Sequence, residues 1–391
     1  MNHHDTRGSI TVAGSLAQKP LHGGHAWVML QYLLGLKRLG WEILFVDALS
    51  TGMCFDQVGN PCDVEQSVNI QVFRRIMRQF GLQDDYCVVI DDGQQFIGIP
   101  RGQVLDRVGE SEFLLNVMGF LTHAEILERA TRLVFLDIDP GFGQMWAHLG
   151  LADLFSGHDD LVTIGENIGQ PGCRIPTCGR DWITTRQPIV LGHWPARFDK
   201  ACKRISSVVS WRGAYGPIDF EGRTYGLRAH ELRKFVDLPA GTDLSFQLAL
   251  DIHPSDSADR ECLQSHGWDI VQPARVAGDP WSYQSFIQGS SAEFMVAKNI
   301  YVDTHSGWFS DRSICYLASG KPVLAQDTDL QSLHPTGEGI VLYTTLQEAR
   351  EAVRDITANY SRHARAARRI AEEHFDSDIV LAGLLGKLGV A

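Results

Sequence analysis

The sequence predicts an α/β fold built as two doubly wound domains, and three observations carry that prediction. Short apolar runs rich in Val, Ile, Leu and Phe alternate with amphipathic stretches, the pattern of strands joined by helices. The chain has 391 residues, more than one hydrophobic core ordinarily serves. A Gly-, Pro- and polar-rich stretch from Gly165 to Pro195 separates two such series, and LGWEILFV (Leu39–Val46) in the first is echoed by HGWDIVQP (His266–Pro273) in the second.

In the first series, Ser9–Leu16 reads as a strand and KPLHGG as a loop. A helix follows over His25–Leu39, with Trp27, Leu30 and Leu34 on one face and Gly40 as its stop. Glu42–Ala48, Tyr86–Ile90, Arg132–Ile138 and Asp160–Ile164 read as strands, Val68–Phe80 and Ala124–Ala130 as helices, and Phe113–Phe120 fits either. The stretch after Gly165 is loop chemistry, either functional or a plain connector. In the second series Arg204–Trp211, Leu244–Ile252, Ile270–Gln272, Phe294–Val302, Val323–Ala325 and Ile340–Leu342 read as strands. Gly226–Val236, Trp281–Gln288, Ser310–Ser319, Leu346–Asn359 and Arg362–His374 read as helices, and Val380–Leu388 closes the chain. The charges of GLRAHELRKFVDL (Gly226–Leu238) read as a solvated face, and Tyr283 and Phe286 beside Trp281 as core or interface.

Composition narrows the function. Hydrophobic residues make up 44% and charged residues 21%, an ordinary globular balance. With 35 Lys+Arg against 47 Asp+Glu, the formal charge of -12 disfavours nucleic acid or anionic lipid as partners. No run reaches the roughly 18 apolar residues of a membrane span, and Met1–Gly8 lacks an export core, so a soluble, cytoplasmic protein is expected. None of the cysteines forms a CxxC pair; Cys173 and Cys178 have no second pair beside them, so free thiols rather than zinc are expected.

The most informative segment is SGWFSDRSICYLASGKPVLAQDT, Ser306–Thr328. Ser310 is placed to cap a helix whose first-turn amides and positive dipole end suit a diphosphate. Arg312 lies in that turn, where the dipole disfavours a cation unless an anion sits between them. Gly307 leaves room for a ligand, and Asp327 and Thr328 end the next strand, where ligands of open α/β sheets gather. Gly307, Trp308, Ser310, Asp311, Arg312, Asp327 and Thr328 are therefore candidate ligand contacts, the plain alternative being a capped helix with a surface arginine. In VVSWRGAYGP (Val208–Pro217), Trp211 and Arg212 enter a glycine loop, with Arg212 either a phosphate ligand or a salt-bridged loop residue.

ASGKPVLAQDT (Ala318–Thr328) resembles the nucleotide-sugar-binding half of GT-B glycosyltransferases. ARAARRIAEEHF (Ala364–Phe375) looks like their late helix, and GGHAWVMLQYLLGLKRLGWEILFVD (Gly23–Asp47) like their first glycine loop, helix and second strand. The resemblance implies two facing Rossmann-like domains with an interdomain cleft: an acceptor domain over 1–197, a nucleotide-sugar domain over 198–375, and a closing helix over 376–391 packed back towards the first. It implies transfer of a sugar, of hexosyltransferase type, from a nucleoside diphosphate sugar to an unidentified acceptor. Gly23 and Gly24 form the acceptor-side loop. Many retaining members carry two glutamates eight residues apart, but those slots hold Gly307 and Cys315, so Glu338 is the candidate for the ribose contact. In many inverting members a His near the first glycine loop is the general base, which points to His25; Asp139 is its candidate partner or an alternative base, and Glu166 a further strand-end carboxylate. His22 and His193 are less well placed. No cofactor is expected, nor a metal, since cationic side chains can take its place; Asp137-Ile138-Asp139 has the DxD spacing but ends a buried strand. Two other readings share the scaffold, a nucleotide-sugar epimerase or hydrolase and a non-catalytic binder. A dehydrogenase is disfavoured, because no GxGxxG follows a strand.

Overall fold

The computed structural model describes residues 7–213 and 215–390. The first six residues of the polar start, position 214 of the second glycine loop and residue 391 lie outside them. The first sheet contains β1 (Ser9–Gly14), β2 (Glu42–Leu49), β3 (Tyr86–Ile90), β4 (Gln95–Gly98), β5 (Leu114–Val117), β6 (Leu133–Asp137), β7 (Asp160–Thr163) and β8 (Trp182–Thr184). A hairpin, β10 (Ile218–Phe220) and β11 (Arg223–Tyr225), interrupts the second. The second sheet is made of β9 (Arg204–Ser210), β12 (Ser245–Asp251), β13 (Trp268–Val271), β14 (Ala292–Met295), β15 (Val323–Gln326) and β16 (Ile340–Tyr343).

The orders are β4-β3-β2-β1-β5-β6-β7-β8 and β13-β12-β9-β14-β15-β16. Apart from the antiparallel edge strand β4 and the added β8, both are the doubly wound Rossmann order, reversing direction between β1 and β5 in one and between β9 and β14 in the other. The Gly-Trp echo does not mark equivalent strands: Trp41 precedes β2, the second strand of its sheet, whereas Trp268 opens β13, the third. What the two segments share is local, a left-handed Gly (Gly40, Gly267) ending a helix and a Trp entering the core.

Both sheets are covered on both faces, as parallel strands require. The Gly23–Arg38 helix sits close on β1 because Gly14 has no side chain; a Cβ there would lie 2.6 Å from the Met29 sulfur. One apolar core runs unbroken between the domains. Trp27 of that helix packs on Trp194, Trp194 meets Tyr283 of the Pro280–Gln288 helix, and the Trp27 indole donates to the Pro280 carbonyl at 2.8 Å. After the second sheet the chain returns to the first domain. Ile189 and Phe375–Ser377 exchange backbone hydrogen bonds, Arg38 pairs with Asp378, and Leu381 of the Ser377–Lys387 helix covers Gly35. Among the described residues no helix is long and apolar enough to cross a membrane.

The Gly165–Pro195 stretch is an interdomain seam. Gly165 bridges to Trp308, Asn167 donates to the carbonyls of His305 and Asp329, and Arg174 N–H reaches the Thr304 carbonyl. The run read as one strand over Phe294–Val302 breaks after Met295. Asn299 starts a short helix, and its side-chain amide accepts from Gly226 N–H and donates to the Thr224 carbonyl, which turns the chain out of the sheet.

Candidate active site between the two sheets

The C-terminal ends of the two sheets face each other. Asp139, just past β6, accepts from Lys298 Nζ at 2.8 and 3.0 Å and from the Tyr301 hydroxyl, both just past β14. Asp139 is presented by a turn built on Asp137. That buried carboxylate accepts from Gln144, Thr163 Oγ1 and Asp139 N–H, and burial pushes it up to about 6. The two aspartates of the DxD match therefore do different jobs. Among the described residues no group of three His, Cys, Asp or Glu side chains converges on a point that would hold a metal ion.

At the switch point of the second sheet lies Arg228, 7% exposed. Its Nε donates to the Val296 carbonyl after β14, and its Nη1 to Ser210 at the end of β9. These bonds fix the guanidinium, and among the described residues nothing pairs with Nη2. Among the described residues no carboxylate touches the group. Burial, then the Arg312 charge, push it down to about 10. Lys298, 5% exposed, stands beside it and lies over the rings of Phe142 and Tyr301. Burial lowers Lys298 too, against the pull of Asp139. Two neighbouring buried cations, with a carboxylate bonded to Lys298 and none to Arg228, are an anion site by charge and geometry.

The opposing switch point carries Ser15, Lys19, His25 and Phe120. Ser15 Oγ lies 2.9 Å from His25 Nε2, the Phe120 ring stands edge-on to the imidazole, and Lys19 Nζ sits over the same phenyl ring. Burial, then Lys19 and His22, hold His25 well below the usual histidine range, so it is neutral at neutral pH. Its hydrogen-bond partner is a hydroxyl; the Asp139 carboxylate expected to orient it faces Lys298 and Tyr301 instead.

The remaining predicted site residues fall into three groups. Ser310 caps the Asp311–Ala318 helix as expected, accepting from Arg312 N–H, but it is 1% exposed, and Arg312 points away from the cleft, into an ion pair with Glu293 and a bond to the Val208 carbonyl. Burial raises Glu293, offset by Arg312, so the pair is a structural brace beneath the helix. The space at Gly307 is taken by Asn167 and Leu333, each within 2.9 Å of a Cβ placed there. Thr328 holds this segment by bonding to Trp308 and Gly307, Trp308 stacks on Tyr301, and Asp327 accepts from the amides of its own turn. Asp311 and Asp327 stay partly open, and Asp311 lies near Arg228 and Tyr32.

The second group is paired elsewhere. Arg212 is exposed and bound to Asp256, and Trp211 is core, its indole bound to Asp259. Glu338 precedes β16 and faces Arg362, at the opposite end of the sheet from the Ser310 cap. Glu166 is tied to Arg186 and His334 at 3.0 Å each, within the seam. His193 packs among Trp27 and Phe80. Third, Gly23 and Gly24 admit protein rather than ligand. A Cβ at Gly23 would lie 2.3 Å from the Asp279 carbonyl oxygen, and one at Gly24 2.9 Å from the Tyr283 ring.

Arg228 and Lys298 are the residues that sequence reasoning missed. Lys298 was hidden in a run read as strand, and Arg228 in a helix read as a solvated face. The available signal was the one used for Arg312, a cation in the first turn of a helix.

No protein-family model matches the chain, and no curated protein sequence matches it. Solved structures do. An alpha-glucosyltransferase in complex with UDP-glucose and DNA containing an abasic site is 12% identical, over 97% of this chain and 98% of that one, with a TM-score of 0.57. HepE of Anabaena in complex with UDP and glucose is 12% identical, over 98% and 100%, with a TM-score of 0.57. The pneumococcal O-GlcNAc transferase GtfA in complex with UDP and GlcNAc is 8% identical, over 99% of each chain, with a TM-score of 0.54. Full-length likeness to these proteins, joined to two Rossmann-ordered sheets with their C-terminal ends face to face, establishes that this chain has the GT-B fold.

Proposed function

We propose that this protein is a glycosyltransferase that moves a hexose from a nucleoside diphosphate sugar to an acceptor, without a metal ion. One observation carries the reading: a buried, oriented Arg228 with a free Nη2 beside Lys298, at the switch point of the second sheet and facing the other domain. The donor's diphosphate lies there, competing with Asp139 for Lys298. As the sugar–phosphate bond breaks, negative charge grows on the leaving diphosphate, and these two cations stabilise it where water is largely excluded. They supply the charge that a divalent cation supplies in other sites. On the acceptor side, neutral His25 is competent to take a proton from an attacking hydroxyl, with Ser15 holding the ring. UDP-glucose, or UDP with a separate sugar, accompanies the similar structures, and one of those also holds DNA; the charge of -12 argues against a nucleic-acid acceptor here.

The test is calorimetry against UDP, other nucleoside diphosphates and their sugars, in chelator, followed by product analysis with and without candidate acceptors. Binding that survives chelation, with sugar transferred only when an acceptor is present, is the expected result. Free sugar or an isomer formed without acceptor would make the protein a hydrolase or epimerase. Binding with no turnover would make it a non-catalytic partner.

A further inference from the structure

A second concavity, of about 450 Å³, opens in the N-terminal domain at the C-terminal ends of β2 and β3. It adjoins the cleft: Gln18 lines it, held by a bond to the Ala48 carbonyl, while the next residue, Lys19, turns to the cleft over Phe120. The polar wall is acidic. Asp91 and Asp92 both line it, and both have left-handed backbones, at φ 43 and 54, a conformation that costs energy in residues other than glycine and collects at ligand sites. Asp91 accepts from Thr51 N–H, which lowers its pKa, and Asp92 is exposed. Among the described residues neither carboxylate has a cationic partner. Beside them stands His123, 9% exposed, its Nε2 next to Gly93, the residue that follows Asp92. Its Nδ1 accepts from Ile126 N–H, so the neutral ring carries its proton on Nε2, which has no acceptor among the described residues. Ser50 and Thr122 add hydroxyls, and Met53 and Leu49 an apolar side. With no metal-binding convergence among the described residues, an organic ligand fits this wall: hydroxyls for the donors and acceptors, a cation for the two carboxylates.

We propose that this pocket is the acceptor subsite and that it takes a hydroxyl-rich ring bearing an ammonium group, an amino sugar or aminocyclitol. The inference rests on the glycosyltransferase reading for its role, but not for its binding chemistry. The test is NMR of the full chain labelled with methyl-13C methionine, in which Met53, one of seven methionines, reports on the pocket and is assigned by Met53→Leu. Glucosamine, glucose and glucuronate are titrated in turn, and UDP binding is measured separately by calorimetry. Glucosamine is expected to move the Met53 signal at a concentration about three- to tenfold below glucose, the range for one or two partly exposed charge pairs, and glucuronate to leave it in place. Asp92→Asn, at an exposed residue, moves the glucosamine midpoint towards that of glucose and leaves the heat of UDP binding unchanged. Equal midpoints for the three sugars, a preference for glucuronate, or a Met53 signal that no sugar moves would overturn the inference even if UDP binds. The expected Met53 pattern without UDP binding would keep the amino-sugar site and overturn its role as an acceptor subsite.

Discussion

Replacing Arg228 with Gln should weaken nucleotide diphosphate binding while leaving the protein folded. The wild-type guanidinium is held by the Val296 carbonyl and by Ser210, so its free Nη2 is pre-aimed and little side-chain freedom is lost on binding. Gln keeps one N–H donor for those anchors but removes the charge and the third arm of the fork. The loss is then one hydrogen bond to a charged group, about 1.5–3 kcal/mol, or roughly 10- to 150-fold in Kd. Because Arg228 is 7% exposed, added salt should screen the effect only weakly. Calorimetry with UDP at pH 7.5 reads the difference, with Arg212→Ala as the control: that residue is exposed, paired with Asp256, and should change binding by less than about 0.5 kcal/mol. A folded Arg228→Gln protein with wild-type affinity, or a larger loss in Arg212→Ala, would refute the assignment.

Arg312→Met strands the fully buried Glu293 and should cost about 3–5 kcal/mol in denaturant unfolding; Glu293→Gln added to it should restore most of that, and a single-variant loss under about 1 kcal/mol would contradict the brace. Asp47, 0% exposed, is pushed by burial to about 7, so the folded state holds its proton more tightly than the unfolded chain does. Its contribution is complete below the unfolded value near 4 and is lost as pH rises through about 7, up to about 4 kcal/mol in all. Asp47→Asn should therefore flatten the fall in stability over that window, and urea melts with parallel pH dependence in both proteins would count against it. Glu166→Gln loosens the contact with Arg186 and His334, so melting temperature should fall while kcat stays within a few-fold; a loss of about a hundredfold at unchanged melting temperature would instead make Glu166 a proton-transfer group.

The fold was legible because its determinants are local and repeated. Apolar runs such as EILFVDA and LSFQLALDI have nowhere to go but the middle of a parallel sheet. The elements missed are those whose cause lies far along the chain. β8 forms by pairing beside β7, and the β10–β11 hairpin packs Phe220 against His148 of the other domain. The glycines were read as places where a ligand approaches, but what approaches is protein: at Gly23 it is the backbone of Asp279, some 250 residues away in sequence. Sequence marks the missing side chain and says nothing of the neighbour.

The same gap explains the choice between Arg312 and Arg228. Both stand in a first helical turn, both are buried, and the dipole argument applies to each. What separates them is which one already has its anion. Glu293 sits in β14 directly under Arg312 and pairs with it, whereas the ends of β9 and β14 offer Arg228 only neutral oxygens. A buried cation satisfied by carbonyls keeps its charge unspent, and in this cleft that charge is available to a ligand. The helix that was expected to grip the diphosphate still has a part: anchored by Glu293, it fixes Arg312, whose charge lowers the pKa of Arg228 and makes an incoming anion more favourable there.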